Sequence, residues 1–269
     1  MKKTILKRIT AFAIAIVMTI GCTTSFVACS DALRNYTEFK VTASNRDAVG
    51  YTGESGEHLD IPETFKQDGV WYKVISIDKE AFAGCANLSS VTVPNSVQSI
   101  GEKAFALCDS LESITLPFVG ASRDENYCFG YIFGVSWFTE NRQYVPSSLK
   151  TVVITDQTSI PSHAFYGCSN LTSITIPNTV KSIGSEAFRE CSSLTSVTIP
   201  QKVQTIWSFT FRGCSSLASI YYGGTLSEWE KLDCPDIGEN VIVYFYSEKK
   251  PADKYNKYWH YVDGVPTPW

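Results

Sequence analysis

Asn170–Cys191, reading NLTSITIPNTVKSIGSEAFREC, is one copy of a pattern that the chain writes repeatedly. Phe, Cys and Leu recur in the frame F-x2-C-x2-L as Phe82/Cys85/Leu88, Phe105/Cys108/Leu111, Phe165/Cys168/Leu171, Phe188/Cys191/Leu194 and Phe211/Cys214/Leu217. Successive copies lie 23 residues apart, with one gap of 60 between Phe105 and Phe165. A fixed period of this length marks a stack of like units, each too small to bury its apolar face alone.

Within one unit, Ile174 and Ile176 alternate inward around an outward Thr175, which predicts a short strand. Pro177 ends it, having no N–H for the ladder. Val180 and Ile183 form a second extended piece, Gly184 permits the corner, and Ala187-Phe188 begin a helical turn that closes at Cys191. With apolar residues at L-x2-I-x-I in this period, the prediction is an α/β repeat solenoid of the leucine-rich-repeat kind. It has short parallel strands, 23-residue units and β-rich caps at both ends.

Working outward, residues 80–221 hold the repeats, 31–79 an N-terminal cap with a first partial repeat, and 222–269 a C-terminal cap. Leu59-Asp60-Ile61-Pro62 matches a repeat strand, and Ile77 takes the place of Ile100. Counted from Leu59 against Leu88, six residues are inserted before Ile77, and Asp68-Gly69 among them signals a hairpin. Phe39-Lys40-Val41 reads as a further strand. The gap of 60 is two units plus 14 residues, and Leu149-x2-Val152-x-Ile154 restores the pattern, so the surplus lies in 118–148. Beyond Tyr221, Ser227–Leu232 reads as a short capped helix and Val241–Tyr246 as the last strand. The aromatic tail seals the open end or offers a binding platform.

Residues 1–30 read as a signal peptide. Lys2, Lys3, Lys7 and Arg8 form a basic start, and Ala11–Ile20 an apolar run too short to span a bilayer comfortably. Three processing sites compete: a lipobox ending at Cys29, a weaker one at Cys22, and ordinary cleavage before Asp31. Each predicts an extracellular or cell-surface protein whose membrane contact, if any, is an N-terminal lipid anchor. The chain of 269 residues has a net charge of −4, and the leader's four cations leave 19 basic against 27 acidic residues beyond it. No basic stripe is present, which argues against nucleic acid.

Little in the sequence suggests chemistry. Five of the nine cysteines fill one slot in successive units, where side chains point the same way, so a ladder of buried thiols is expected rather than disulfides. No C-x2-C or H-x3-H pair offers chelating spacing, so neither metal nor cofactor is expected. The place of His163 holds Glu80, Lys103, Glu186 and Phe209 in other units, which predicts a solvated position. No nucleophile motif or phosphate loop is found, and a non-catalytic protein is expected.

Two sets of residues are candidate ligand contacts. The first lies in 118–148, which concentrates Phe118, Tyr127, Phe129, Tyr131, Phe133, Trp137, Phe138 and Tyr144. These either plug a degenerate unit or, through Trp137, Phe138, Arg142 and Tyr144, contact a ligand from a protruding loop. The second is the outward strand column, with Thr92, Thr115, Thr175 and Thr198 as candidates. A hydroxyl column serves solubility or forms a flat recognition face.

The unit F-x2-C-x2-L-x2-I-x-I-P-x2-V-x2-I-G-x2-A resembles the BspA-like bacterial leucine-rich repeat, with Ala187-Phe188, Cys191, Leu194, Val197, Ile199 and Pro200 carrying it in one copy. IYYGGTLSEW and YWHYVDGVPTPW also resemble the endings of secreted, gut-associated members. The resemblance implies a secreted or lipid-anchored surface protein of adhesion or macromolecular recognition, with a host or neighbouring-cell protein or glycan as partner. A carbohydrate-binding module using the aromatic loop or tail, or a structural surface protein without a tight ligand, are the alternatives.

Overall fold

The computed structural model describes residues 24–26, 35–42, 45–49, 57–124, 128–232, 234, 237–252 and 257–269. Of the leader, only Thr24–Phe26 is among them, as a strand antiparallel to Asn35–Val41. The processing sites at Cys22 and Cys29 lie outside the described residues.

The alternating apolar residues produce a ten-stranded sheet. In spatial order it contains His58–Asp60, Ser90–Thr92, Ser113–Leu116, Thr151–Ile154, Ser173–Thr175, Ser196–Ile199, Ser219–Tyr222, Ile242–Tyr246, Tyr258–Val262 and Val265–Pro268. All neighbours are parallel except the last pair. Val91, Ile114, Val152, Ile174, Val197 and Ile220 point into a continuous core. The second extended pieces pair as Ser159–Ile160, Ser182–Ile183 and Thr205–Ile206.

A third side of each rung is also bonded to its neighbour. The backbone N–H of Phe165 donates to Ala187 O (2.8 Å) and that of Phe188 to Thr210 O (3.0 Å). This side is a run of tight turns rather than the expected helical turn. Two backbone places in it are left-handed in each of the five regular repeats. The first holds Glu80, Lys103, His163, Glu186 and Phe209, with φ between 56° and 61°. The second holds Gly84, Leu107, Gly167, Glu190 and Gly213. A left-handed residue breaks the i→i+4 ladder, so the chain closes on i→i+3 bonds such as Cys191 N–H to Phe188 O (3.1 Å).

Gly184 answers a different need from the expected corner. Its φ is not positive, but an added Cβ would overlap the backbone nitrogen of Ser162 in the preceding rung. Gly101 is in the same relation to Lys79. Close approach of adjacent rungs, not conformational freedom, calls for these glycines.

Inside the turns the phenylalanines stack. Phe82–Phe105, Phe165–Phe188 and Phe188–Phe211 have centroids 5.4, 5.5 and 5.7 Å apart with interplanar angles of 4°, 9° and 9°. Beside them the cysteines form the expected column, and none of the seven described cysteines is in a disulfide.

The N-terminal cap pairs Asn35–Val41 parallel to Val70–Ile77 and Thr64–Gln67 antiparallel to it. Asp68 (φ 49°) and Gly69 (φ 84°) make the two-residue hairpin loop. The register corrects the size of the insertion. Leu59 pairs with Val91, not Leu88, and Ile77 with Ile100. The 18 residues from Leu59 to Ile77 therefore compare with nine from Val91 to Ile100, so nine residues are inserted.

At the other irregularity Ser113 pairs with Thr151, 38 residues on. The 3-10 helix Phe129–Phe133 lies between the flanking turns. Phe105 N–H donates to Ile132 O (2.9 Å) as Phe82 N–H donates to Ala104 O (2.8 Å), placing Phe133 in the phenylalanine slot. Phe129 N–H donates to Ala164 O (2.9 Å), and its ring meets Phe165 at 4.9 Å. Phe118, Phe129 and Phe133 are buried, so this half of the insertion is core.

After the repeats, Thr225 caps Leu226–Trp229 in a reciprocal capping box with Glu228. Ile242–Tyr246 is not the last strand, because Tyr258–Val262 pairs parallel to it and Val265–Pro268 folds back antiparallel.

Candidate functional site

The parallel register turns sequence periodicity into surface columns. Thr92, Thr115, Val153, Thr175, Thr198 and Tyr221 align across the sheet, and Tyr244 continues the line. Beside it runs a column that includes Ser90, Ser113, Thr151 and Ser173, and further along Ser196 and Ser219. Both columns are small and, Val153 apart, hydroxylic over the middle rungs; at the C-terminal end the first turns aromatic at Tyr221 and Tyr244, while the second passes from Ser219 to Ile242.

There the terminal hairpin stands over the sheet. Trp259 is buried, and its indole N–H donates to Tyr222 O (2.8 Å), so its ring is fixed. Tyr221, Tyr246 and Tyr261 each set an edge or face against Trp259, at centroid distances of 5.6, 5.2 and 4.9 Å. Tyr246 and Tyr261 nevertheless remain 40% and 53% exposed. Desolvation, with Tyr246 adding to it, pushes the Tyr261 phenol up.

Between the hairpin and the sheet runs an open groove of about 700 Å³. Its floor contains Ser173, Thr175, Ser196 and Thr198; its aromatic wall is Tyr221, Tyr246, Trp259 and Tyr261; Asn178, Gln201 and Lys202 border it. The Gln201 amide is steadied by donating to the Glu228 carboxylate (3.2 Å). That carboxylate also accepts from the Thr225 backbone N–H (2.7 Å), the main cause holding its pKa below the usual carboxylate range.

The expected contacts divide between two regions. Thr175 and Thr198 line the groove, whereas Thr92 and Thr115 lie further along the same column, beyond its lining. Trp137, Phe138, Arg142 and Tyr144 belong to a separate patch on the turn side. Phe138 stacks on His163 (4.1 Å, 25°) and meets Tyr166 edge-on (5.2 Å). Trp137 leans on Phe138 at 5.4 Å and is 63% exposed; Arg142 and Tyr144 are exposed as well. His163 is therefore partly covered rather than fully solvated, with Glu186 3.8 Å from its Nε2.

This patch rests on buried Asn141. Its Oδ1 accepts from the Gly130 N–H (3.1 Å), and its Nδ2 donates to Tyr166 O (2.9 Å). Gln201, Lys202 and Tyr246 were not among the expected contacts, whereas Tyr261 belongs to the aromatic tail that was read as either a seal or a binding platform. The signal that points to them is Tyr221, the aromatic break in a hydroxyl column.

Among the described residues, no group of three or more His, Cys, Asp or Glu is arranged to hold a metal ion. No described helix is long and apolar enough to cross a membrane.

No curated protein matches the chain. Among solved structures, a leucine-rich repeat protein of T. pallidum is 23% identical, with 83% of each chain covered and a TM-score of 0.32. A leucine-rich repeat protein of Bacteroides ovatus is 20% identical over 84% of this chain, with a TM-score of 0.35; the chain spans 60% of that protein's length. A leucine rich cell surface protein of Faecalibacterium prausnitzii is 16% identical, covering 81% of this chain and 98% of its own, with a TM-score of 0.26. The BspA type leucine rich repeat region, in six copies, matches residues 70–141 and 139–232, well over half of the sequence. With the phenylalanine, cysteine and glycine slots repeating through the matched rungs, the chain belongs to the BspA-type leucine-rich-repeat family.

Proposed function

We propose that the protein is a non-catalytic recognition or adhesion module displayed outside the cytoplasm, and that the C-terminal groove is its contact surface. One observation carries this reading: Tyr246 and Tyr261 stay exposed although they pack on a Trp259 that is itself buried and hydrogen-bonded. Aromatic rings held in this way present contact area without losing further rotamer freedom on binding. The basic and apolar leader supports export, whether ending in a lipidated Cys29 or in free secretion. The partner is a host or neighbouring-cell macromolecule, and nucleic acid is disfavoured by the acidic surplus.

The test is attachment of the purified mature protein to host epithelial cells and to neighbouring bacteria. Tyr261→Ala and Tyr246→Ala should each weaken attachment, with Trp137→Ala and Arg142→Ala as controls. The exposed Trp137 favours the turn-side patch as a second reading. That reading prevails if the control pair abolishes attachment and the tyrosine pair does not.

A further inference from the structure

We infer that the groove takes an oligosaccharide, and that a carboxylate-bearing sugar chain is held more tightly there than a neutral one. The inference rests on the groove being the recognition surface.

The floor argues against a peptide. Ser173–Thr175 is hydrogen-bonded between Thr151–Ile154 and Ser196–Ile199, and the latter lies between it and Ser219–Tyr222. The floor strands have no free edge, and the edge strand that lines the groove, Val265–Pro268, has Pro266 and Pro268 at its outward positions, so a peptide finds no outward N–H there to add against as a strand. An amphipathic helix needs an apolar bed, yet the floor presents Ser173, Thr175, Ser196 and Thr198. These hydroxyls, with the amides of Asn178 and Gln201, each both donate and accept. A sugar ring has the same two-way hydrogen bonding around its rim, and apolar C–H faces that pack on aromatic rings. Tyr246 and Tyr261 supply such rings at the wall.

Charge narrows the class. The whole chain is acidic, with a net charge of −4, but among the described residues that line the groove none is Asp or Glu and Lys202 is the one charged side chain; Glu228 reaches the border only through its bond to the Gln201 amide (3.2 Å). A uronic or other acidic sugar meets a cation there and no carboxylate among the described lining residues. The exposed ammonium favours it modestly, as expected of a screened surface pair.

The experiment uses the mature protein against a glycan array, followed by calorimetry with two probes, a neutral β-linked glucose hexasaccharide and a hexasaccharide of galacturonic acid. The acidic probe should bind. Tyr261→Ala should weaken it at least about tenfold, the loss expected of a stacked aromatic. Lys202→Gln should weaken the acidic probe about two- to fivefold and leave any neutral binding unchanged. Thr175→Arg, which fills the floor, serves as a second variant, and circular dichroism checks that each variant folds. An array without a hit overturns the inference, as does binding indifferent to both Tyr261→Ala and Thr175→Arg.

Periodate-treated cells separate this inference from the one beneath it. If oxidised cells still hold the protein and Tyr261→Ala still releases it, the groove recognises protein: the sugar inference fails and the recognition surface stands. If Tyr261→Ala has no effect on attachment to untreated cells, the recognition surface fails as well.

Discussion

The Sγ of Cys191 lies 3.2 Å from the carbonyl oxygen of Phe165 in the preceding rung, and its thiol donates to that oxygen. Cys108 does the same to Phe82 (3.3 Å) and Cys214 to Phe188 (3.0 Å). A phenylalanine thus offers its ring to the stack and its carbonyl to the next thiol.

The first prediction concerns these thiols at alkaline pH. Burial pushes Cys191 well above its ordinary value and Cys214 up to about 12. Because the folded values are raised, their contribution is intact below the unfolded thiol value of about 8.5. Above that, the unfolded chain ionises first, and stability falls until the folded thiols titrate too. Each such thiol adds a slope of about 1.4 kcal/mol per pH unit. Urea midpoints across this window should fall less steeply in Cys191→Ala than in the parent. Parallel curves would show that Cys191 ionises as readily folded as unfolded.

The second prediction uses the repeated left-handed slot. Leu107 occupies it with φ 57° and is 72% exposed, while Gly84, Gly167 and Gly213 fill it elsewhere. Leu107→Gly relieves strain of about 1–2 kcal/mol against an entropic cost of about 0.5–1, leaving a net gain of about 0.5–1 kcal/mol. Gly167→Ala should instead cost about 1 kcal/mol. Thermal midpoints moving the same way for both would contradict the slot.

The third prediction separates core from face within one strand. Ile174→Ala should cost about 2–5 kcal/mol, and Phe188→Ala, which leaves a gap in the ring stack, about 3–5. Thr175→Ala, which points outward, should stay within about 0.5 kcal/mol. Chemical denaturation of the three variants decides it, and equal losses at Ile174 and Thr175 would reverse the inward and outward assignment.

A fourth prediction bears on how the insertion is anchored. Asn141→Leu keeps the branched shape but leaves the Gly130 N–H and the Tyr166 carbonyl without their partner, a loss of about 2–3 kcal/mol. Limited proteolysis should then cut first within residues 128–148, while Trp137→Ala digests like the parent.

The repeats were legible because their markers are core residues met again in every rung. Phe188 and Cys191 need the same neighbours as Phe165 and Cys168, so the same letters return. The first left-handed place, two residues before each phenylalanine, was not legible, since Glu, Lys, His and Phe all occupy it and a backbone angle leaves no hydropathy trace. The insertion's aromatics were visible, but not their division into buried Phe129 and Phe133 and exposed Trp137, because no period orders them. The groove depends on Tyr258–Val262 joining the sheet and Val265–Pro268 folding back, pairings that no local pattern encodes.

The last strand also determines how the array ends. A stack of like rungs with an exposed final edge is a template on which another molecule could lay its own strand, and so a seed for fibres. In Val265–Pro268 the Trp269 N–H turns inward to Tyr258 O (3.0 Å), so the alternate positions, Pro266 and Pro268, face outward. Proline has no N–H to offer there, and the antiparallel sense breaks the register that every earlier rung shares. Pairing of a second copy along the outer side of this strand is thereby disfavoured, and rungs can be gained or lost in the middle of the stack without altering it.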